Sequence, residues 1–354
     1  MNKRKLRGMT FYLTNDCNLK CGHCWISAGM HSDYLSIEII RKRFGEAYTM
    51  GVRSFLLTGG EPFMHPDIDE IIACFLEKRD VYLQIESNAT LIGNERIERF
   101  AEFDNIEIIV SIDGPMPEVH DSIRGVKGTF NTVVKTIKEL KKASVIQQCI
   151  MAVSKVNSTY VEDTIRLCID LGIRYLRVLP VQPCGRGEQL YLENGTFSVE
   201  EQIKFYRDQQ MLIQRYKHNI VVGTPIPPAF MALGRVREYK NECSFCNRLT
   251  LLANGKFSLC GIGEAHDDYQ FSIANDMTLA EFWTDDIKLQ DVLINAEKKF
   301  LEPCKRCIFN CICKGFCRAT AVQYPSLNMR YYNFCAEAYR AGRFPAKYLI
   351  QRER

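Results

Sequence analysis

Between Met9 and Pro180 the chain alternates six short runs of β-branched and aromatic residues with longer stretches of helical period, and this rhythm constrains the fold most. Strands joined by crossovers of a dozen or more residues run parallel, because each helix carries the chain back to the end where the next strand starts. The strands are predicted at Thr10–Thr14, Ser54–Thr58, Val81–Glu86, Ile106–Ile112, Ile146–Val153 and Tyr175–Leu179. Helices near Ile37–Thr49, Ile68–Lys78, Asn94–Phe103, Phe130–Lys142 and Tyr160–Leu171 alternate with them. A sixth helix, Val199–Tyr216, starts behind Ser198, an N-cap whose hydroxyl accepts from free amides, with Glu200 and Glu201 in its first turn. This is an α/β chain, either an open doubly wound sheet or an incomplete (β/α) barrel, and periodicity does not choose between them. In both, functional residues collect just past the carboxyl ends of the strands.

The character changes after Thr224. Pro225, Pro227 and Pro228 interrupt the chain, and nine of its 16 cysteines lie from Cys243 to Cys335. The expected division is residues 1–222 as the α/β domain, 223–340 as a small cysteine-rich domain and 341–354 as a solvated tail or terminal helix. With 354 residues, 46% of them hydrophobic, the chain can bury a large core. Its 46 basic and 42 acidic residues leave a net charge of +4, too balanced to argue for nucleic acid or an anionic membrane. No apolar run approaches the roughly 18–20 residues of a membrane span, and the basic stretch Met1–Met9 lacks the apolar region of a signal peptide. A cytoplasmic protein is expected. In a reducing cytosol so many cysteines point to metal or iron–sulfur ligation rather than disulfides.

Cys17, Cys21 and Cys24 form CxxxCxxC directly after the first strand. Three thiolates on one short loop can hold three corners of a [4Fe–4S] cubane and leave one iron open. A structural zinc wants four ligands, and the nearest fourth candidates, His23 and His31, are poorly spaced for a closed tetrahedron. Further elements follow at successive strand ends: Gly59-Gly60-Glu61-Pro62 after the second, Glu86-Ser87-Asn88-Ala89-Thr90 after the third, and Ser111-Ile112-Asp113-Gly114 after the fourth, with His120-Asp121 and Arg124-Gly125 beyond. In this order they resemble the CxxxCxxC, GGEP, TNGT, SxDG and HDxxRG elements of radical S-adenosylmethionine (SAM) enzymes, with Ala89 where glycine is usual. The resemblance covers roughly Met9–Gly187 and implies a partial (β/α)6 barrel, with SAM bound to the open iron. It makes Gly59, Gly60, Glu61 and Pro62 contacts of the SAM amino group, and Ser87, Asn88, Ser111, Asp113 and Arg124 further SAM-site residues. Arg124 and Ser111 are candidates for its carboxylate or ribose. Leu179, with Val181, is expected as an apolar wall beside the adenine.

The C-terminal cysteines are Cys243, Cys246, Cys260, Cys304, Cys307, Cys311, Cys313, Cys317 and Cys335. Alone, this region also fits a zinc-ribbon-like fold. Skipping Cys311, Cys304–Cys317 reads CxxCxxxxxCxxxC, which resembles the SPASM domain, the twin-cluster extension of peptide-modifying radical SAM enzymes. That resemblance implies two auxiliary [4Fe–4S] clusters, one on Cys243, Cys246, Cys260 and Cys317 and one on Cys304, Cys307, Cys313 and Cys335, for three clusters in all. Cys311 competes with Cys313 for its place. Cys74, Cys149 and Cys168 fall within helix or strand patterns and read as buried hydrophobes. Cys184 follows the sixth strand and is either a catalytic donor of a hydrogen atom or proton, or a packed thiol.

The resemblance implies reductive cleavage of SAM to a 5′-deoxyadenosyl radical and oxidative modification of a ribosomally made peptide, with electrons from a flavodoxin- or ferredoxin-type reductant. Related peptide-crosslinking enzymes often carry an N-terminal leader-binding domain. Here the first strand starts near Met9, so a separate leader-binding protein is expected, or none. Sulfatase maturases resemble this chain but carry aspartate where Gly261 follows Cys260, which disfavours that activity. Cys317-Arg318-Ala319-Thr320-Ala321 resembles enzymes that oxidise or trim tetrapyrrole side chains, an alternative substrate class. A non-catalytic iron–sulfur or zinc relay leaves the elements from Gly59 to Pro62 and from Ser111 to Arg124 unexplained.

Overall fold

All six predicted strands and the helices between them are present in the computed structural model, which describes residues 4–30, 33–239, 243, 246–265, 267–274, 276–321 and 332–351. The strands are β1 (Gly8–Tyr12), β2 (Ser54–Thr58), β3 (Tyr82–Ser87), β4 (Ile106–Ser111), β5 (Gln148–Val153) and β6 (Tyr175–Pro180). Helices α1 (Ile37–Thr49), α2 (Ile68–Leu76), α3 (Asn94–Phe100), α4 (Pro117–Arg124), α5 (Thr129–Lys142), α6 (Val161–Asp170), α7 (Arg186–Leu192) and α8 (Val199–Tyr216) connect and follow them. Ser198 and Glu201 form a reciprocal capping box at the start of α8. Three short elements escaped the periodicity: α4, which begins at Pro117, α7, and β7 (Val221–Gly223), three residues that pair with β6.

The sheet order is β7-β6-β5-β4-β3-β2-β1-β8-β9, with β1 to β7 parallel to their neighbours. The order never reverses from β1 to β7. A doubly wound sheet needs such a reversal, so the architecture is the partial barrel. β8 (Arg248–Leu251) lies parallel to β1 on its other side, and β9 (Phe257–Ser258) folds back antiparallel. The cysteine-rich region therefore extends the barrel sheet, and the expected break between residues 222 and 223 falls inside β7.

The outer face of the sheet carries the core. Phe11 on β1, Phe55 on β2, Phe44 on α1 and Phe75 on α2 are all buried, and the Phe44 and Phe75 rings lie 4.2 Å apart. On the lumen side the alternation inverts: in β3 and β6, Gln84, Glu86, Arg177 and Leu179 are half-exposed between fully buried neighbours. That period of two, with polar residues on the inner face, leaves the barrel hollow at its carboxyl end.

The stretch after residue 340 is not a solvated tail. Phe344 and Tyr348 are buried, the Tyr348 ring packs on Phe309 at 4.8 Å, and the Ile308 amide donates to the Tyr348 carbonyl. Apolar residues spaced among arginines and lysines hid this packing. Among the described residues no helix is long and apolar enough to cross a membrane.

Candidate active site

The loop after β1 carries Cys17, Cys21 and Cys24, and the chain anchors it from three sides. From the second strand end, the Gly60 and Glu61 amides donate to the Thr14 and Asp16 carbonyls, each at 2.7 Å. Gly59 has φ +137°, and a Cβ there would stand 2.3 Å from the Thr14 carbonyl oxygen; at Gly60 it would stand 2.0 Å from that of Asp16. The glycine pair thus admits the cysteine loop itself to close backbone contact. From α4, the Arg124 and Ile123 carbonyls accept from the Lys20 and Gly22 amides. From α7, the Arg186 guanidinium donates to the Cys21 and Ala28 carbonyls at 2.7 and 2.6 Å, and its amide to that of Cys24 at 2.8 Å.

All three thiols open onto one cleft at the carboxyl ends of the strands, with about 1630 Å³ of free space including its mouth. Gly59, Gly60, Ser87, Asn88, Ser111, Arg124 and Leu179 line the same cleft, as does Val181. Burial pushes the Cys17 thiol up to about 12, although the Leu19 amide donates to its sulfur at 3.4 Å. The Cys21 thiol is likewise raised by burial, against the pull of Arg124, whose Nη1 lies 3.7 Å from its sulfur. Such thiols ionise when a metal supplies compensating positive charge. Among the described residues no group of three or more His, Cys, Asp or Glu converges on a single-metal site. His31 lies outside the described residues.

Glu61, Pro62 and Asp113 do not line the cleft. Glu61 is fully buried, and its carboxylate accepts from the Phe63 and Asn88 amides at 3.1 and 2.8 Å and from the Ser87 hydroxyl at 2.8 Å. Burial raises its carboxyl to about 6 against those three donors. It ties the second strand end to the third, with Pro62 buried in the short turn that follows. Asp113, also fully buried, forms an ion pair with Arg124, whose Nε lies 2.8 Å away, meets His23 Nε2 at 2.9 Å and accepts from the Ala152 amide at 2.8 Å. Burial opposes its ionisation, but Arg124 and His23 outweigh that and hold the carboxyl well below the usual range. Burial pushes His120 down to about 4, and its Nδ1 lies 3.2 Å from the Asp113 amide nitrogen. The DG and HDxxRG elements thus form one buried support that aims Arg124 at the cysteine loop.

Two further cavities are lined by the C-terminal cysteines, and the second of them shares Trp25, Arg177, Pro225 and Phe316 with the cleft. One is lined by Cys304, Cys307, Cys313 and Cys335, under Pro227, Pro228 and Phe344. Cys313 is buried there, whereas Cys311 is exposed and its sulfur lies 3.7 Å from the Ile308 carbonyl oxygen. The other is lined by Cys243, Cys260 and Cys317; Cys246 is buried but is not in its wall. Cys184 lines a third space with Trp25, Tyr206 and Cys317, beside the main cleft rather than in it, and burial raises its thiol. Cys149 and Cys168 are fully buried, and Cys74 is half-buried against the core.

The sequence assigned no role to Tyr12, Trp25, Arg177 and Arg186, nor to Glu86, although Glu86 opens the element after the third strand. Glu86, Arg177, Trp25 and Arg186 line the cleft; Tyr12 is buried beside it, its hydroxyl raised well above the ordinary value by burial and then by Glu86. Each stands next to a recognised motif or at a lumen position of a strand, where a polar side chain reads as surface. At Gly261 a Cβ would meet the Tyr12 hydroxyl oxygen at 2.0 Å and the Trp25 ring at 2.4 Å, so these rings occupy the space a side chain would need.

Residues 11–168 match the family model described as the radical SAM superfamily. The antilisterial bacteriocin subtilosin biosynthesis protein AlbA of Bacillus subtilis is 32% identical over 215 residues, 60% of this chain and 47% of that protein. An AdoMet-dependent heme synthase of Oleidesulfovibrio alaskensis is 31% identical over 201 residues, 56% of this chain and 51% of that one. The chain thus spans about half the length of these curated relatives. The crystal structure of Streptococcus suis SuiB bound to the precursor peptide SuiA superimposes with a TM-score of 0.73 at 17% identity, over 94% of this chain and 76% of that one. At that identity the likeness is one of fold.

Proposed function

The chain carries a domain of the radical SAM superfamily at residues 11–168, and on that premise we propose that it is an oxidoreductase that cleaves SAM and modifies a ribosomally made peptide. The observation that carries this reading is the convergence of three cysteine thiols with Ser87, Ser111 and Arg124 on one cleft. A [4Fe–4S] cluster on Cys17, Cys21 and Cys24, with SAM on its open iron, would supply the chemistry: one-electron cleavage of SAM and removal of a hydrogen atom from an unactivated carbon. The protein's own residues do the rest. Asp113 holds Arg124 charged beside Cys21; Glu61 fixes the Ser87–Asn88 strand end; Arg186 pins the cysteine loop; Leu179 and Val181 wall the cleft with apolar surface that keeps water out.

The C-terminal thiols fit two auxiliary clusters, on Cys304, Cys307, Cys313 and Cys335 and on Cys243, Cys246, Cys260 and Cys317. Trp25, Arg177 and Phe316 line both the main cleft and the cavity of Cys243, Cys260 and Cys317, so a cluster held by those thiols would supply an electron acceptor beside the cleft. This favours an oxidative outcome; the reductant we infer is a flavodoxin- or ferredoxin-type protein, and the compartment the cytoplasm. A peptide substrate is supported by the likeness to the bacteriocin biosynthesis protein AlbA and to SuiB bound to its precursor peptide SuiA. The tetrapyrrole alternative draws on the heme synthase relative, but Arg318, in the segment that suggested it, is buried. In the test, the anaerobically reconstituted enzyme receives reductant and SAM with a host peptide fraction, a tetrapyrrole fraction or neither. Peptide-stimulated 5′-deoxyadenosine formation is expected; stimulation by tetrapyrrole alone overturns the peptide reading.

A further inference from the structure

We propose that Arg177 reads a carboxylate on the substrate, with Glu86 tuning how tightly it is held. The inference rests on the cleft being the substrate's reaction chamber. Glu86 on β3 and Arg177 on β6 reach into the lumen from walls separated by β4 and β5, past the apolar Ile150 and Ala152. Their closest approach, Nη1 to Oε1, is 3.7 Å, longer than a hydrogen bond, and the side chains are 41% and 30% exposed. Glu86 has a second tether, the Thr58 hydroxyl at 3.5 Å.

The other two arginines in the cleft wall are already committed. Arg124 lies 2.8 Å from Asp113, and Arg186 donates to two carbonyls of the cysteine loop at 2.7 and 2.6 Å. Among the described residues Arg177 has only the long contact with Glu86, so its planar fork of donors is left for an acceptor of matching geometry, which is a carboxylate. Arg177 also borders the cavity of Cys243, Cys260 and Cys317. A carboxylate bound to it stands at the wall shared by the cleft of the cysteine loop and the cavity of those thiols. Glu86, 3.7 Å away, repels that carboxylate and keeps the hold loose enough for release.

An acidic peptide side chain and a tetrapyrrole propionate share this chemistry, and the test separates them. Iron-loaded, SAM-bound enzyme is dialysed anaerobically against blocked alanine pentapeptides with a central glutamate or glutamine, and against coproporphyrin III or its tetramethyl ester. The expected result is a preference of about tenfold for the acid over its neutral partner in one pair. Arg177→Gln should cut that preference to about twofold or less with iron content unchanged, Arg177→Lys should give an intermediate value, and Glu86→Gln should increase it. Preference in the porphyrin pair alone keeps the role of Arg177 and overturns the peptide reading. Equal affinities in both pairs, no binding of either acid at millimolar concentration, or an undiminished preference in Arg177→Gln overturns the proposal, whatever the peptide-stimulated reaction does.

Discussion

Replacing Arg124 with glutamine tests the buried support under the cysteine loop. Asp113 is fully buried and Arg124 is 7% exposed, so the substitution strands a carboxylate whose main compensating charge has gone, leaving His23 and one amide. Breaking a buried pair from one side costs about 3–5 kcal/mol, because the remaining charge keeps its desolvation penalty without its partner. Asp113→Asn strands Arg124 in the same way. The double variant removes both charges, so its loss should fall short of the sum of the singles by about 0.5–3 kcal/mol. Anaerobic urea unfolding of the iron-loaded protein, followed by far-ultraviolet circular dichroism, supplies the numbers, with Arg41→Gln as control. Arg41 pairs with Glu70 on the surface, the two side chains 50% and 57% exposed, and its loss should leave the midpoint unmoved. Because Asp113 is held below the usual carboxylate range, its contribution is present above the unfolded value near 3.9 and fades only as pH falls further toward the folded one. A shift for Arg124→Gln no larger than the control's, or strict additivity in the double variant, refutes the buried-support account.

Glu61 should show the opposite pH dependence. Its carboxyl is raised to about 6, so the native state holds the proton more tightly than the unfolded chain, and stability falls as pH rises from about 4.5 through about 6, by about 2 kcal/mol at most. Unfolding midpoints across that range should lose this slope in Glu61→Gln; a slope retained in the variant contradicts the assignment. Gly60→Ala forces the loop away from the Asp16 carbonyl and should lower the iron bound at the cysteine loop while sparing the C-terminal sites, as read by iron analysis against the wild type. Cys313→Ala should remove about four irons and Cys311→Ala none, since Cys313 faces the shared cavity and Cys311 faces out; loss in Cys311→Ala instead reverses the assignment.

The barrel was legible because its strands and helices obey two different periods, and α1, β2 and α8 begin and end where the pattern places them. The winding was not, since β/α alternation is common to both architectures and only the strand order tells them apart, with β3 on β4 and β1 between β2 and β8. β7 and the β8–β9 hairpin are too short for a periodic signal. The cysteine motifs and strand-end elements pointed to one cleft, yet the sequence could not sort residues that face it, such as Ser111 and Leu179, from residues that hold it together, such as Glu61 and Asp113. That difference is set by burial and by which backbone groups they reach. Arg177 and Glu86 were hidden for a related reason: on a hollow barrel, the polar side of a strand is the working side.

The account turns on Cys17, Cys21 and Cys24 acting together as the site of SAM cleavage. The most direct measurement compares iron content and 5′-deoxyadenosine formation in the reconstituted wild type and the triple Cys17→Ala, Cys21→Ala, Cys24→Ala variant. The account predicts the loss of about four irons, retention of the rest, and no SAM cleavage. Undiminished cleavage in the triple variant would contradict it.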